Sequence, residues 1–360
     1  MNVRTLWMIT RYLISVSLSV GLAQPARSQD KAASVLRVGV IGLDTSHASA
    51  FSRVLNDPQQ APEFSGCRVV AAVSSHSPNI AESVRYLPQV TKEIQALGIE
   101  IVPSIDEMLK RVDVVLLESI DGNPHLAQAL PVLRARKPLF VDKPVAGSLT
   151  DAVLLYDIAK HFKTPVFSSS SLRYTDGAKA IAAGSVGDVT ACDAFSPCPV
   201  EPTHPDFFWY GIHGVETLFA VMGPGCETVS RVHSANTDVA VGLWQDGRIG
   251  TFRGRRKDNN GYAGGYGGTA FGTKGIAAVG GFSGYEPLVV EIAKFFKTGK
   301  APVSPDETLE IYAFMEAADE SRRRDGAAVH LSDVLAKARH AAQNRIDVLL
   351  ARPAKAVPGR

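Results

Sequence analysis

Two short segments carry the side chains best suited to chemistry on a hydroxyl group. Asp142-Lys143-Pro144 directly follows an apolar run, Leu139–Val141. A lysine at the carboxyl end of a parallel strand points into the crevice where such sheets bind ligands. Further on, Tyr210-Gly211-Ile212-His213-Gly214-Val215-Glu216 opens a helix, and His213 and Glu216, three apart, share one face of it. Imidazole transfers protons near neutral pH, and a nearby ammonium lowers the cost of a developing alkoxide. A third segment, Leu43-Asp44-Thr45-Ser46-His47, directly follows the strand Leu36–Gly42, where a dinucleotide fold holds its phosphates. On the G-x-G-x-x-G template Gly42 takes the first position, Asp44 the second and His47 the third. A carboxylate at the second position adds bulk and like charge where a pyrophosphate would approach. Asp44 or Ser46 could cap the following helix, and Thr45 and Ser46 offer hydroxyls to a phosphate at its positive end.

The elements that must position these residues alternate strand and helix from 36 to about 168. Strands are expected at 36–42, 68–73, 99–102, 112–117, 139–141 and 165–167. Helices are expected at 48–55, 79–97 (broken near Pro88), 105–110, 124–136 and 150–162, the last capped by Ser148 or Thr150. That alternation specifies an α/β fold beginning with a Rossmann-like, doubly wound parallel sheet. From about 185 the pattern changes to short, partly alternating strands at 189–195, 228–233, 239–244 and 249–253, with a helix at 212–222 among them. This reads as a C-terminal α+β domain on a largely antiparallel, open sheet. Gly261–Gly268 reads as a mobile loop. Helices follow at 287–296 and, from the capping box Ser304-Pro305-Asp306-Glu307, to about Arg323. Leu331–Leu350 is a last amphipathic helix before a tail. The expected organisation is a signal peptide over 1–28, a dinucleotide-binding domain over 35–168, a substrate and oligomerisation domain over 169–330, and a C-terminal helix and tail over 331–360.

The 360 residues are 45% hydrophobic and 21% charged, enough for two ordinary globular domains. Arg4 and Arg11 precede the apolar stretch Tyr12–Ala23, and Ala26-Arg27-Ser28 supplies a small-x-small cleavage site, so an exported, periplasmic or extracellular protein is expected. No Arg-Arg pair precedes the apolar stretch, which argues against twin-arginine export. Without residues 1–28, which hold three Arg and no acid, the chain has 35 basic and 36 acidic side chains. Near neutrality gives no reason to expect nucleic acid, or a membrane once the signal is cleaved. Cys192 and Cys198 could pair in an oxidising compartment or remain buried thiols. Asp44, His47, His76 and His125 lie near strand ends, yet no metal-ligand spacing occurs and no metal is expected.

In order and spacing these pieces resemble the Gfo/Idh/MocA oxidoreductases (glucose–fructose oxidoreductase, inositol dehydrogenase and relatives) over residues 35 to 330. Asp142-Lys143-Pro144 matches the family's E-K-P, His125 a histidine after the fourth strand, and Arg173-Tyr174 an R-Y after the sixth. Tyr285-Glu286-Pro287 and Thr298-Gly299-Lys300 resemble its carboxyl-terminal helix and exit. The resemblance implies hydride transfer between a sugar or polyol carbon and NAD or NADP. Lys143 would orient substrate and cofactor, and His213 would be the acid/base. Trp209, Glu216, Arg173 and Tyr174 would contact substrate, and Gly42, Asp44, Thr45, Ser46, His47, Ser75, His125 and Lys143 the cofactor. It also implies a homo-oligomer through the C-terminal sheet.

Three departures set this chain apart. Trp209 stands where the family's D-x-G-x-H-x-x-D begins with Asp, Asp44 and His47 replace glycines, and Ser74-Ser75-His76 holds no acid for the adenosine ribose. Export adds a fourth constraint, since a cofactor scarce outside the cytoplasm must be held tightly. The leading reading is an exported NAD(P)-dependent oxidoreductase acting on a sugar, polyol or glycoside. The alternative is a non-catalytic carbohydrate-binding protein that has lost the dinucleotide.

Overall fold

The structure, a computed structural model, describes residues 35–256 and 264–351. The expected export segment, positions 261–263 of the glycine-rich loop and the tail after Pro353 lie outside the described residues. No described helix is long and apolar enough to cross a membrane.

The first six strands are β1 (Leu36–Ile41), β2 (Cys67–Val73), β3 (Glu100–Val102), β4 (Val114–Leu117), β5 (Leu139–Val141) and β6 (Val166–Ser168). Between them run α1 (Ser46–Asn56), α2 (Ala81–Ala96), α3 (Ile105–Leu109), α4 (His125–Arg134) and α5 (Leu149–Phe162). All strand pairs are parallel, in the order β3-β2-β1-β4-β5-β6. Nearly continuous β-branched and aliphatic strands suit this sheet because helices bury both of its faces. The chain reverses its direction of growth between β1 and β4, and open α/β sheets bind ligands at that crevice. Ser148, not Thr150, caps α5 through the Asp151 N–H. α2 runs unbroken through Pro88. The proline leaves the Val84 carbonyl without its helical donor, and Val84 is exposed, so water can serve instead.

The second half contains α6 (Asp176–Ala182), β7 (Val189–Pro197), α7 (Gly211–Met222), β8 (Cys226–His233), β9 (Thr237–Trp244), β10 (Ile249–Arg255), β11 (Gly267–Gly272) and β12 (Gly275–Ala278). It ends with α8 (Glu286–Thr298), α9 (Pro305–Arg323), β13 (Val329–His330) and α10 (Leu331–Ala351). The sheet order is β12-β11-β7-β10-β9-β8-β13. It is mixed: β7 and β10 are parallel neighbours and the other pairs antiparallel. Part of the expected loop, Gly267-Gly268, is buried and starts β11. All four cysteines are buried free thiols.

One feature locks the halves together, and another seats the helix that carries His213. Helix α8 leaves the second half and returns to the parallel sheet, where Leu288, Val289, Ile292, Phe295 and Phe296 pack with Phe51, Phe140 and Phe167. Helix α7 lies close against the second sheet because it carries glycines there. A β-carbon on Gly214 would sit 2.3 Å from a ring carbon of Phe252, and one on Gly211 would sit 3.0 Å from Phe207 and 3.1 Å from the Cys198 sulfur. Gly214→Ala therefore forces α7, with His213, off the sheet. A loss of about 1–3 kcal/mol in urea-unfolding stability is expected, the range for overpacked cores.

Candidate active site

Strand register builds the site. Ile41 pairs with Leu117 and Leu117 with Val141, so the residues that follow, Gly42, Glu118 and Asp142, leave the sheet at one level. The Glu118 N–H still bonds to the Ile41 carbonyl and the Asp142 N–H to that of Leu117. Gly42 turns the chain at φ +92°, and a β-carbon there would lie 2.4 Å from the Ser119 nitrogen, so only glycine fits. Thr45 then caps α1 by accepting the His47 N–H.

A cleft of about 160 Å³ opens at that helix end. Its walls include Thr45, Ser46, His47, Lys143 and Tyr285 from around the parallel sheet, and Trp209, Tyr210, His213 and Tyr266 from the second half. Lys143 and His213, from separate halves, thus face one space. Lys143 follows β5 through a cis peptide bond to Pro144, and its ammonium lies 3.6 Å from Asp142 Oδ2. Asp142 is also 2.8 Å from His47 Nδ1. Although burial favours the neutral acid, these two cationic partners hold the Asp142 carboxyl well below the usual carboxylate range. Burial, then the charge of Asp142, pushes its neighbour Glu118 well above that range.

His213 is held well below the ordinary imidazole value, by burial first and then by the charges of Lys143 and His47. It is neutral at pH 7. Its Nδ1 lies 2.8 Å from Ser170 Oγ. With Nδ1–H given to that oxygen, Nε2 carries a lone pair and is a base.

Other expected contacts are placed elsewhere. Glu216 turns from the cleft and accepts from Arg173 Nε at 2.9 Å, while Arg173 Nη1 meets Glu307 at 2.7 Å. This is a buried ion pair between α7, the turn after β6 and α9, because a buried charge must be compensated. Neither residue lines the cleft, nor does Tyr174, which packs toward the core around Phe140 and Phe167. His125 is fully buried with Nε2 2.7 Å from the Ser119 carbonyl, so it braces a turn. Ser75 accepts from Gln128 Nε2. Asp44 is the largest correction: its carboxylate does not face the helix end but is wholly buried, accepting from Ser83 Oγ at 2.7 Å and the Ile120 N–H at 3.2 Å. Burial pushes its pKa up to about 6 against those hydrogen bonds.

The loop 198–210 of the second half covers the outer part of the crevice. Trp209 packs on Ile80 and Ile120, and His204 Nε2 accepts the Gly122 N–H and lies 3.3 Å from Asp121. Asp206 anchors this loop, with carboxylate contacts to Arg231, Arg256 and Arg322, and the Arg231 guanidinium also stacks over Phe207.

This is a Rossmann-type parallel sheet joined to a second half built on a mixed, largely antiparallel sheet. Residues 36–169 match the GFO_IDH_MocA family, an oxidoreductase family with an NAD-binding Rossmann fold. No curated protein matches the chain by sequence. Among solved structures it is similar to scyllo-inositol dehydrogenase from Lactobacillus casei with bound NAD(H) and scyllo-inositol, at 15% identity and TM-score 0.64 over 83% of this chain and 99% of that one. It is also similar to myo-inositol 2-dehydrogenase from Lactobacillus plantarum, at 16% identity and TM-score 0.64 over 82% and 99%.

Around the cleft the residues fit the nicotinamide end of the family's cofactor: the α1 amino terminus attracts phosphate, with Thr45 and Ser46 beside it and Lys143 and Tyr285 across from it. Buried Asp44, with Ile120 and Trp209, lies beside this cleft under the loop 198–210, so an adenosine end running that way would need the loop to lift.

Asp44 makes stability depend on pH. Its folded pKa exceeds the unfolded value near 3.9, so the folded state binds more protons between about pH 4 and 6 and its stability falls as pH rises through that window. Asp44→Asn removes the buried charge while keeping an acceptor for the Ile120 N–H and presenting an amide N–H that the Ser83 hydroxyl oxygen can accept. It is expected to raise the melting temperature at pH 7.5 and to lose that advantage at pH 4, read by calorimetry at both values.

Proposed function

We propose that this chain is an exported NAD(P)-dependent oxidoreductase acting on a hydroxyl-bearing carbon of a sugar, polyol or glycoside, with its cofactor tightly held. The observation that carries this reading is that Lys143 and His213, from different halves, face one cleft at the amino terminus of α1. When bound, the nicotinamide supplies the hydride acceptor or donor. The chain's own residues do the rest. Lys143 presents its ammonium to the substrate hydroxyl and stabilises negative charge building on that oxygen. His213 Nε2 takes the hydroxyl proton, its ring held by Ser170. Trp209, Tyr210 and Tyr266 offer aromatic faces to a sugar ring and exclude water. Inositol-acting structures of the same fold support a polyol as the substrate class. The loop over the adenosine end supports slow cofactor exchange.

Removing a positioned base costs about 10²–10⁴-fold in rate. His213→Ala is expected to lower kcat by that factor in NAD(P) reduction assays with inositols and aldoses, with the fold unchanged by circular dichroism. Because His213 stays neutral well below pH 6.5, kcat/KM of the wild type should be flat from pH 8 to 6.5 and fall only in more acid solution. Full activity in His213→Ala would remove this residue from the mechanism.

A second reading, a carbohydrate-binding protein without a dinucleotide, is favoured by Asp44 and Trp209 lying beside the cleft under the loop 198–210. The apolar side chains Val232, Val241, Leu243 and Ile249 stand exposed on the second sheet and support association of copies through that face. Native and denaturing mass spectrometry of the purified protein test these points together. The leading reading expects a chain beginning near residue 29, an oligomer, and one NAD(P) released per chain on denaturation. A nucleotide-free protein that also binds none when NAD or NADP is added would favour the second reading.

A further inference from the structure

The floor of the cleft holds a cluster that the acid–base mechanism does not use. Glu118 and Asp142 are the residues immediately past β4 and β5, and His47 reaches over them from the first turn of α1. One donor atom from each side chain lies within 4.8 Å of the other two. Both carboxylates are essentially unexposed, at 0% and 1%. Neither Glu118 oxygen nor Asp142 Oδ1 makes a hydrogen bond. Asp142 Oδ2 lies 2.8 Å from His47 Nδ1 and 3.6 Å from the Lys143 ammonium. Buried polar atoms in folded proteins have partners, since bare burial of a carboxylate is strongly unfavourable. Three unpartnered carboxylate oxygens beside an imidazole therefore point to a missing common partner.

We propose that His47, Glu118 and Asp142 bind one divalent transition-metal ion of the Zn²⁺ or Mn²⁺ class. One imidazole nitrogen with carboxylate oxygens is a donor set for such ions, whereas Mg²⁺ and Ca²⁺ take oxygen alone. Bonds of about 2.0–2.2 Å place ligand atoms up to roughly 4.4 Å apart, so the side chains need draw in by only a few tenths of an ångström. Two carboxylates balance the charge of a dication. Three protein ligands leave a coordination position open, the arrangement of sites that take water or a substrate oxygen. His47 and Lys143 line the cleft directly above, so the ligand taken there is a hydroxyl-bearing molecule beside the Lys143 ammonium. Because the metal site rests on donors that the nucleotide assay does not read, either can stand without the other.

The test uses the purified full-length protein, stripped with a chelator and titrated with ZnCl₂ or MnCl₂. Calorimetry, and metal analysis after gel filtration, should give about one ion per chain together with a raised melting temperature. Glu118→Gln keeps the side-chain shape and removes one buried charge. It should fold at least as stably as stripped wild type and bind the ion at least about tenfold more weakly. His330→Asn, at an exposed imidazole remote in sequence from the cluster, should bind as wild type does. Wild type holding less than about 0.1 ion per chain would overturn the proposal. So would Glu118→Gln binding as tightly as wild type, which would place the ion elsewhere.

Discussion

The site depends on where three parallel strands stop. Because Ile41, Leu117 and Val141 are in register, the chain leaves the sheet at one height three times, and the next residues must share one small volume. Two of them are acids with almost no access to water. Burying a carboxylate is tolerated only when an opposite charge or strong donors compensate it, so His47 and Lys143 are drawn to this point as much by electrostatics as by backbone direction. Across the cleft, burial first and then the charges of Lys143 and His47 keep the His213 ring neutral. One accident of register thus sets the protonation of groups contributed by both halves.

The second half also closes the crevice. Loop 198–210 is held at its base by Arg231, a fully buried guanidinium that contacts Asp206, Asp238 and Asp319. Removing one partner of such a network leaves an unpaired charge in the interior, which costs more than the pair itself contributes. The segment carrying His204 and Trp209 is therefore fixed at its root, and opening the adenosine end means bending the loop beyond that anchor. Where the family template shows small residues that admit a pyrophosphate, this chain substitutes a side-chain bridge from Asp44 to Ser83 and Ile120.

Much of this was legible in the sequence. Every strand of the parallel sheet was apparent as a short apolar run, because a sheet covered on both faces leaves few choices of side chain. Lys143 and His213 were recognisable because each sits in a motif with a geometric reason to face a ligand. The misreadings share a cause. Arg173, Glu216 and His125 have the chemistry of site residues, but their partners are remote in sequence, and only the fold shows that those partners are each other or a backbone carbonyl. Glu118 escaped notice as the last residue of an apolar strand, where an acid following four buried aliphatic residues was itself the signal. Strands β11 to β13 are short or rich in glycine and alanine, so they lack the alternation that marked their neighbours.

The return of α8 to the parallel sheet bears on how the polypeptide comes into being. Leu288, Val289, Ile292, Ala293, Phe295, Phe296 and Val303 complete a core whose other buried members lie between Val38 and Phe167. Synthesis is vectorial, so that face of the early sheet has no cover until the carboxyl-terminal third of the message has been translated. The first lobe cannot mature as an independent unit behind the ribosome. That cover comes only with a helix encoded far downstream.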